Sequence, residues 1–89
     1  MVKPGYIKSF LLVKVKTGKE EEAFKQLFQI PEVHEVHFVP GDFDLLCVLE
    51  TKESLVYPWK KVTDLVIGKI RKMDVLIDTK TIIPFSSKI

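Results

Sequence analysis

Five consecutive apolar residues, Leu45-Leu46-Cys47-Val48-Leu49, restrict the folds open to this chain more than any other stretch of it. They sit within the β-rich run FDLLCVLE (43–50). In a strand, successive side chains point to opposite faces. Leu45 and Cys47 then share one face, and Leu46 and Val48 the other. The run IKSFLLVKVK (7–16) repeats the arrangement. Ile7, Ser9, Leu11, Val13 and Val15 fall on one side, and Lys8, Phe10, Leu12, Lys14 and Lys16 on the other. A sheet made of such strands has apolar side chains on both faces.

The remaining elements follow from local signals. Thr17-Gly18-Lys19-Glu20 matches a capping box, with Thr17 as N-cap and Glu20 reaching back, and the acidic turn Glu20–Glu22 suits a helix N-terminus. Ala23, Phe24, Leu27 and Phe28 make a helical apolar stripe, which Pro31 ends. VHEVHFV (33–39) and FDLLCVLE read as a hairpin, with Pro40 and Gly41 at the central positions of a type II turn. Leu55, Trp59, Val62, Val66, Ile70 and Met73 recur near the 3.6 period of a second helix. Proline inside a helix costs about 3 kcal/mol, so the regular helix is expected to start near Pro58, after a looser 51–57. VLIDTKTIIPF (75–85) is a fourth strand.

The order is βαββαβ. Right-handed crossovers place both helices on one face of a four-stranded antiparallel sheet, the ferredoxin-like α+β arrangement. Two helices cover one face only. Phe10, Leu12, Leu46 and Val48 oppose Leu11, Val13, Leu45 and Cys47, so one set stays outside whichever face the helices take. At about 25 cal/mol per Å² of apolar area, leaving several such residues in water forfeits a few kcal/mol, a large share of a small domain's stability. The chain is therefore expected to dimerise through its sheet.

With 89 residues the chain suits a single domain, 1–89, and 46% hydrophobic with 29% charged residues is a globular composition. No apolar run approaches the roughly 20 residues that span a bilayer, and no signal peptide is read, so no membrane partner is expected. The net charge of +2 is nearly neutral, and the short cluster KIRK (69–72) suits a solvated helix end. Direct nucleic-acid binding would need a basic face and a reading element, and neither is visible. The lone Cys47 rules out an internal disulfide and fits a reducing cytoplasm. The absence of Asn, the two Gln and the thirteen Lys against one Arg point to a heat-adapted source.

Candidate chemistry is sparse. His34 and His37 are three apart in a strand, which sets them on opposite faces and argues against a shared metal. Cys47 reads as a small buried hydrophobe, and Trp59 as packing in the second helix or shielding the sheet edge. No phosphate loop, nucleophile elbow or chelating carboxylate motif is present, so neither catalysis nor a cofactor is indicated. Asp44 stands out. Turn chemistry explains Pro40, Gly41 and Asp42, but Asp44 begins a strand on the side of Leu46 and Val48. It needs a partner: a backbone donor, a cation or a ligand's ammonium group. Thr79 and Thr81 put two hydroxyls on one face of the last strand.

The βαββαβ order, the helix opening GKEEEAFKQL, the stretch PEVHEVHFVPGDFDLLCVLE and the closing Thr-x-Thr strand together resemble the Lrp/AsnC ligand-sensing (RAM) domain, over roughly residues 7–85. The most specific piece is the Gly-x-aromatic-Asp turn, Gly41-Asp42-Phe43-Asp44. The resemblance implies dimers formed through the sheets, assembly into tetramers or octamers, and an effector, usually an amino acid, bound between dimers. It carries over Gly41, Asp42, Phe43 and Asp44 to the ligand pocket, with Thr79 and Thr81 as the closing strand's polar pair. The family's N-terminal helix-turn-helix has no room before residue 7, so the expectation is a stand-alone sensing module that does not itself bind DNA. Such a module could modulate full-length Lrp/AsnC-type regulators by forming mixed dimers. VYPW (56–59) adds residues before the second helix, Pro40 replaces a small polar residue, and the usual glycine near Met73-Asp74 is missing.

Two other readings remain. One is an enzyme of the dimeric α/β-barrel type, with His37 or His34 as its polar group. The other is a ligand-free assembly module.

Overall fold

A computed structural model describes residues 5–52 and 59–83. Six elements in the expected order, with a π-helical extension, are β1 (Tyr6–Val15), α1 (Glu20–Phe28), β2 (Val33–Phe38), β3 (Leu45–Lys52), α2 (Lys60–Leu65) running into a π-helix (Val66–Ile70), and β4 (Leu76–Ile82). The strands form one antiparallel sheet in the order β2-β3-β1-β4. Both helices lie on one face of it. Leu11, Val13 and Val15 of β1 join Leu45, Cys47 and Leu49 of β3 in a core closed by Ala23 and Leu27 of α1 and by Val62, Leu65, Val66 and Ile70. The α+β ferredoxin-like architecture is thus present. Leu55, Pro58, residues 53–57 of the looser stretch and most of VYPW lie outside the described residues, as do residues 84 and 85 of the fourth strand, while Thr51 and Lys52, expected to be loose, continue β3.

The capping box does not form. Gly18 adopts φ 84°, and the Lys19 N–H donates to the Lys16 carbonyl at 2.9 Å, which closes a turn ahead of the helix. That turn makes Lys19 the N-cap, without a side-chain cap, and moves Thr17 too far back to serve. The Glu20 carboxylate instead accepts from the Gly18 N–H at 3.3 Å. Between α1 and the outer strand β2, the Phe24 ring stacks on Phe38 with centroids 5.4 Å apart.

The second helix follows the buried positions Val62, Val66 and Ile70, each four apart. In an α-helix of 3.6 residues per turn, steps of four drift by about 40° each. The wider π turn, with the Arg71 N–H donating to the Val66 carbonyl at 2.8 Å, counters that drift and keeps Ile70 over the sheet.

Both outer strands are irregular. In β2, Val33 pairs with Leu49 but Glu35 with Val48, which leaves His34 as the extra residue of a bulge. In β4, Asp78 pairs with Lys14 but Leu76 with Val15, so Ile77 is extra. The first bulge corrects an expectation. It shifts the alternation, so His34 reaches Glu50 (Nδ1–Oε2 3.6 Å) and His37 reaches Glu35 (Nε2–Oε1 2.9 Å), all on the face away from the helices. The two histidines share a face. Among the described residues, however, no group of three or more His, Cys, Asp or Glu gathers to hold a metal. No described helix is long and apolar enough to cross a membrane.

Candidate functional site

The chain reverses between β2 and β3 through residues 39–44. The loop is closed by the Val39 N–H donating to the Asp44 carbonyl at 3.0 Å, so the reversal spans four residues rather than a two-residue type II turn. Gly41 sits at φ 111°, a conformation that penalises any side chain, although the space around it is open. Gly41 and Asp42 are exposed, and Phe43 and Asp44 half-buried.

Asp44 does not begin the strand; β3 starts at Leu45. Its peptide extends the ladder, its N–H donating to the Val13 carbonyl at 2.9 Å. Val15, two residues further along β1, points its N–H to the same side, beyond the end of β3. The Asp44 carboxylate takes that N–H: Val15 N to Oδ2 is 2.8 Å. The partner this carboxylate needs is a backbone donor. Oδ1 has no hydrogen-bond partner among the described residues. A pinned Asp44 holds the loop's base against β1 and leaves Gly41, Asp42 and Phe43 at the end of the sheet.

Thr79 and Thr81 pair with Val13 and Leu11, which places them on the helix side of the edge strand β4. Thr79 is half-buried and Thr81 exposed. The outward N–H of Thr79 is capped by Asp78 Oδ1 at 2.9 Å. The whole width of β1 separates this pair from the loop, so one chain does not bring the two groups into a common pocket.

The face away from the helices is apolar across its middle. Ile82, Phe10 and Val48 form one cross-strand row, and Leu12 with Leu46 lies in the next, flanked by Lys80 and His37. Ile77, the extra residue of the β4 bulge, is 59% exposed. Nothing in the described chain covers these rows. Cys47, on the opposite face of β3, is fully buried, and burial pushes its thiol up to about 12. Trp59 precedes α2, and its carbonyl accepts from the Thr63 N–H at 3.1 Å and from Thr63 Oγ1 at 3.3 Å.

Sequence reasoning missed the latch from Asp44 to Val15 and the polar cleft described below. The single glycine inside the second helical run, Gly68, was a usable signal for that cleft.

No protein-family model matches the chain. The transcriptional regulator FL11 of Pyrococcus furiosus is 43% identical over 51 residues, which is 56% of this chain and 34% of FL11. The chain thus spans about a third of the length of that curated relative. The crystal structure of FFRP-DM1 is 34% identical over 89% of this chain and 99% of its own, with a TM-score of 0.78. Escherichia coli AsnC shares the fold, with a TM-score of 0.78 at 20% identity over 93% of this chain and 53% of AsnC. So does the Neisseria meningitidis regulator NMB0573, solved as a complex with L-Met, with a TM-score of 0.72 at 16% identity over 90% and 50%. The heat-adapted composition agrees with a Pyrococcus relative.

Proposed function

Since this chain belongs to the Lrp/AsnC family of transcriptional regulators, we propose that it is a ligand-sensing module that binds a small effector, an amino acid, between dimers. The observation that carries this reading is the loop at 41–44, fastened at its base by Asp44 and exposed at Gly41 and Asp42. The open sheet face supplies the dimer, because burying Phe10, Leu12, Leu46 and Val48 against the same rows of a second copy recovers apolar area.

Gly41, Asp42, Phe43 and Asp44 form one side of the pocket, and Thr79 and Thr81 form the other from a neighbouring subunit, since within one subunit β1 stands between them. Asp44 Oδ1 and the loop carbonyls accept the ammonium, and hydroxyls and backbone N–H groups take the carboxylate. Ligand bound between dimers draws the equilibrium toward tetramers or octamers by mass action. That shift, or mixed dimers with full-length regulators of the family, is the output. The L-Met complex of NMB0573 supports an amino acid as the ligand class.

Native mass spectrometry of the protein alone and with each of the twenty L-amino acids tests the proposal. The expected result is an adduct on one oligomer for a subset of amino acids. A monomer, or an oligomer that takes up none of them, overturns it. The barrel-enzyme reading has one observation in its favour, the bulge that sets His34, Glu35 and His37 on the open face. Turnover of a small organic substrate, lost in His37→Ala, would be its evidence.

A further inference from the structure

A cleft of about 610 Å³ lies between the C-terminal end of β3 and the second helix. It shares no residue with the 41–44 loop or with Thr79 and Thr81. The helix contributes Lys61, Asp64, Leu65, Gly68 and Lys69, a single stripe at helical spacing. Glu32, Glu50, Thr51 and Lys52 contribute the sheet side.

Two lining residues carry unmet hydrogen-bonding groups. Thr51 is 3% exposed, and its Oγ1 is buried without a partner among the described residues; Glu32 Oε1 is in the same condition. Ser9 Oγ, on the same sheet face and diagonal to Thr51 across the β1–β3 ladder, is a third such atom. A buried polar atom left unpaired costs about 1–3 kcal/mol, and native structures rarely leave three close together without a use.

The charges around the cleft divide in a definite way. Glu50 is engaged by His34 and Asp64 by Lys60 at 2.7 Å. Lys52, Lys61 and Lys69 make no ion pair among the described residues. Lys52 alternates with Val48 and Glu50 toward the other face of β3, so two unpaired ammonium groups, Lys61 and Lys69 of the helix stripe, line a cleft that also holds a buried carboxylate oxygen and a buried hydroxyl. At Gly68, in the π turn, a Cβ would meet nothing within 4 Å, so the wall is open there. The volume lies in the range of small-molecule sites, about 300–1,000 Å³.

We infer that this cleft is a second ligand site, for a small dicarboxylate that also carries a hydroxyl or ammonium donor. The carboxylates meet the lysines. The donor meets Glu32 Oε1 and Thr51 Oγ1, which water-exposed lysines alone would not select.

The test is a titration of the full ¹⁵N-labelled chain with L-malate, L-aspartate and succinate, followed by amide shifts. The expected shifts centre on Thr51, Leu65, Gly68 and Lys69. L-Malate and L-aspartate bind about ten-fold or more tightly than succinate, which lacks the donor. Gly68→Leu projects a side chain into open space, improves helix propensity, and abolishes the shifts while the remaining spectrum stays native. Thr51→Val weakens binding about ten-fold without lowering the melting temperature of the free protein; it decides the matter if Gly68→Leu fails to fold. Four outcomes overturn the inference: no shift at millimolar ligand, equal binding of succinate, binding that survives both substitutions, or L-aspartate shifts confined to 41–44 and 79–81, which would assign that ligand to the effector site instead.

Discussion

The two faces of the sheet are built from the same strands and are both apolar across the middle, yet their central rows end in different conditions. On the helix side Leu11, Val13, Leu45, Cys47 and Leu49 are fully buried. On the other side Phe10, Leu12 and Leu46 are only half-buried, although Val48, between β1 and β2 neighbours, is 8% exposed. Although charged residues ring the open face, the apolar character of the central rows therefore does not distinguish the two faces. What does is whether the chain's own helices reach them. The first face is a core for one chain, whereas the second becomes a core only when another chain is added.

The contrast predicts different kinds of damage. The largest effect belongs to the covered face: Leu49→Ala should cost about 2–5 kcal/mol, seen as a lower urea midpoint at every protein concentration. On the open face, Leu46→Asp should leave the secondary structure intact but convert the oligomer to monomer in sedimentation velocity. The melting temperature of the wild type should rise with concentration while that of the variant stays constant. If Leu46→Asp lowered stability as much as Leu49→Ala and independently of concentration, the distinction between the faces would collapse.

Asp44 belongs to neither face, and its removal should be intermediate. Asp44→Ala leaves the Val15 N–H without its acceptor, for a loss of about 1–3 kcal/mol, and Asp44→Asn, which keeps an oxygen in place, should lose less. Denaturation of the two variants side by side separates the latch from ligand binding, because the latch matters without any ligand.

Cys47 gives the smallest effect near neutrality and a pH-dependent one above it. The folded thiol is raised from 9.0 to about 12 by burial, so the native state holds its proton while the unfolded chain releases it. This contribution is complete below pH 9.0 and is lost as pH rises from there toward about 12. Urea midpoints across that window should fall more steeply for the wild type than for Cys47→Ala, and a thiol reagent should react only with unfolded protein.

Much of the fold was legible in the sequence because alternation in β1 and β3, and the stripe of Ala23 and Leu27, are local records of burial. The misreadings have non-local causes. The bulge at His34 arises from how β2 meets β3, and a count of positions from His34 to His37 cannot register it. The capping box failed because Gly18 took a positive φ and inserted a turn. Asp44 was correctly singled out as needing a partner, but Val15 lies 29 residues away and becomes available only once β1 outruns β3. The proposed effector site is the least legible, because β1 divides its halves within one chain.

The bulges at His34 and Ile77 have a consequence for how copies can add to one another. A sheet has two ways to grow, sideways through the unpaired N–H and C=O groups of its outer strands or face to face through its side chains. Here both outer strands break step, β2 at His34 and β4 at Ile77, and Asp78 occupies the outward N–H of Thr79. A strand added at either margin would fall out of register within a few residues. Sideways growth has no natural end, whereas pairing of two apolar faces is complete once each is covered. The irregular margins thus steer a chain with a sticky surface toward finite particles and away from fibres.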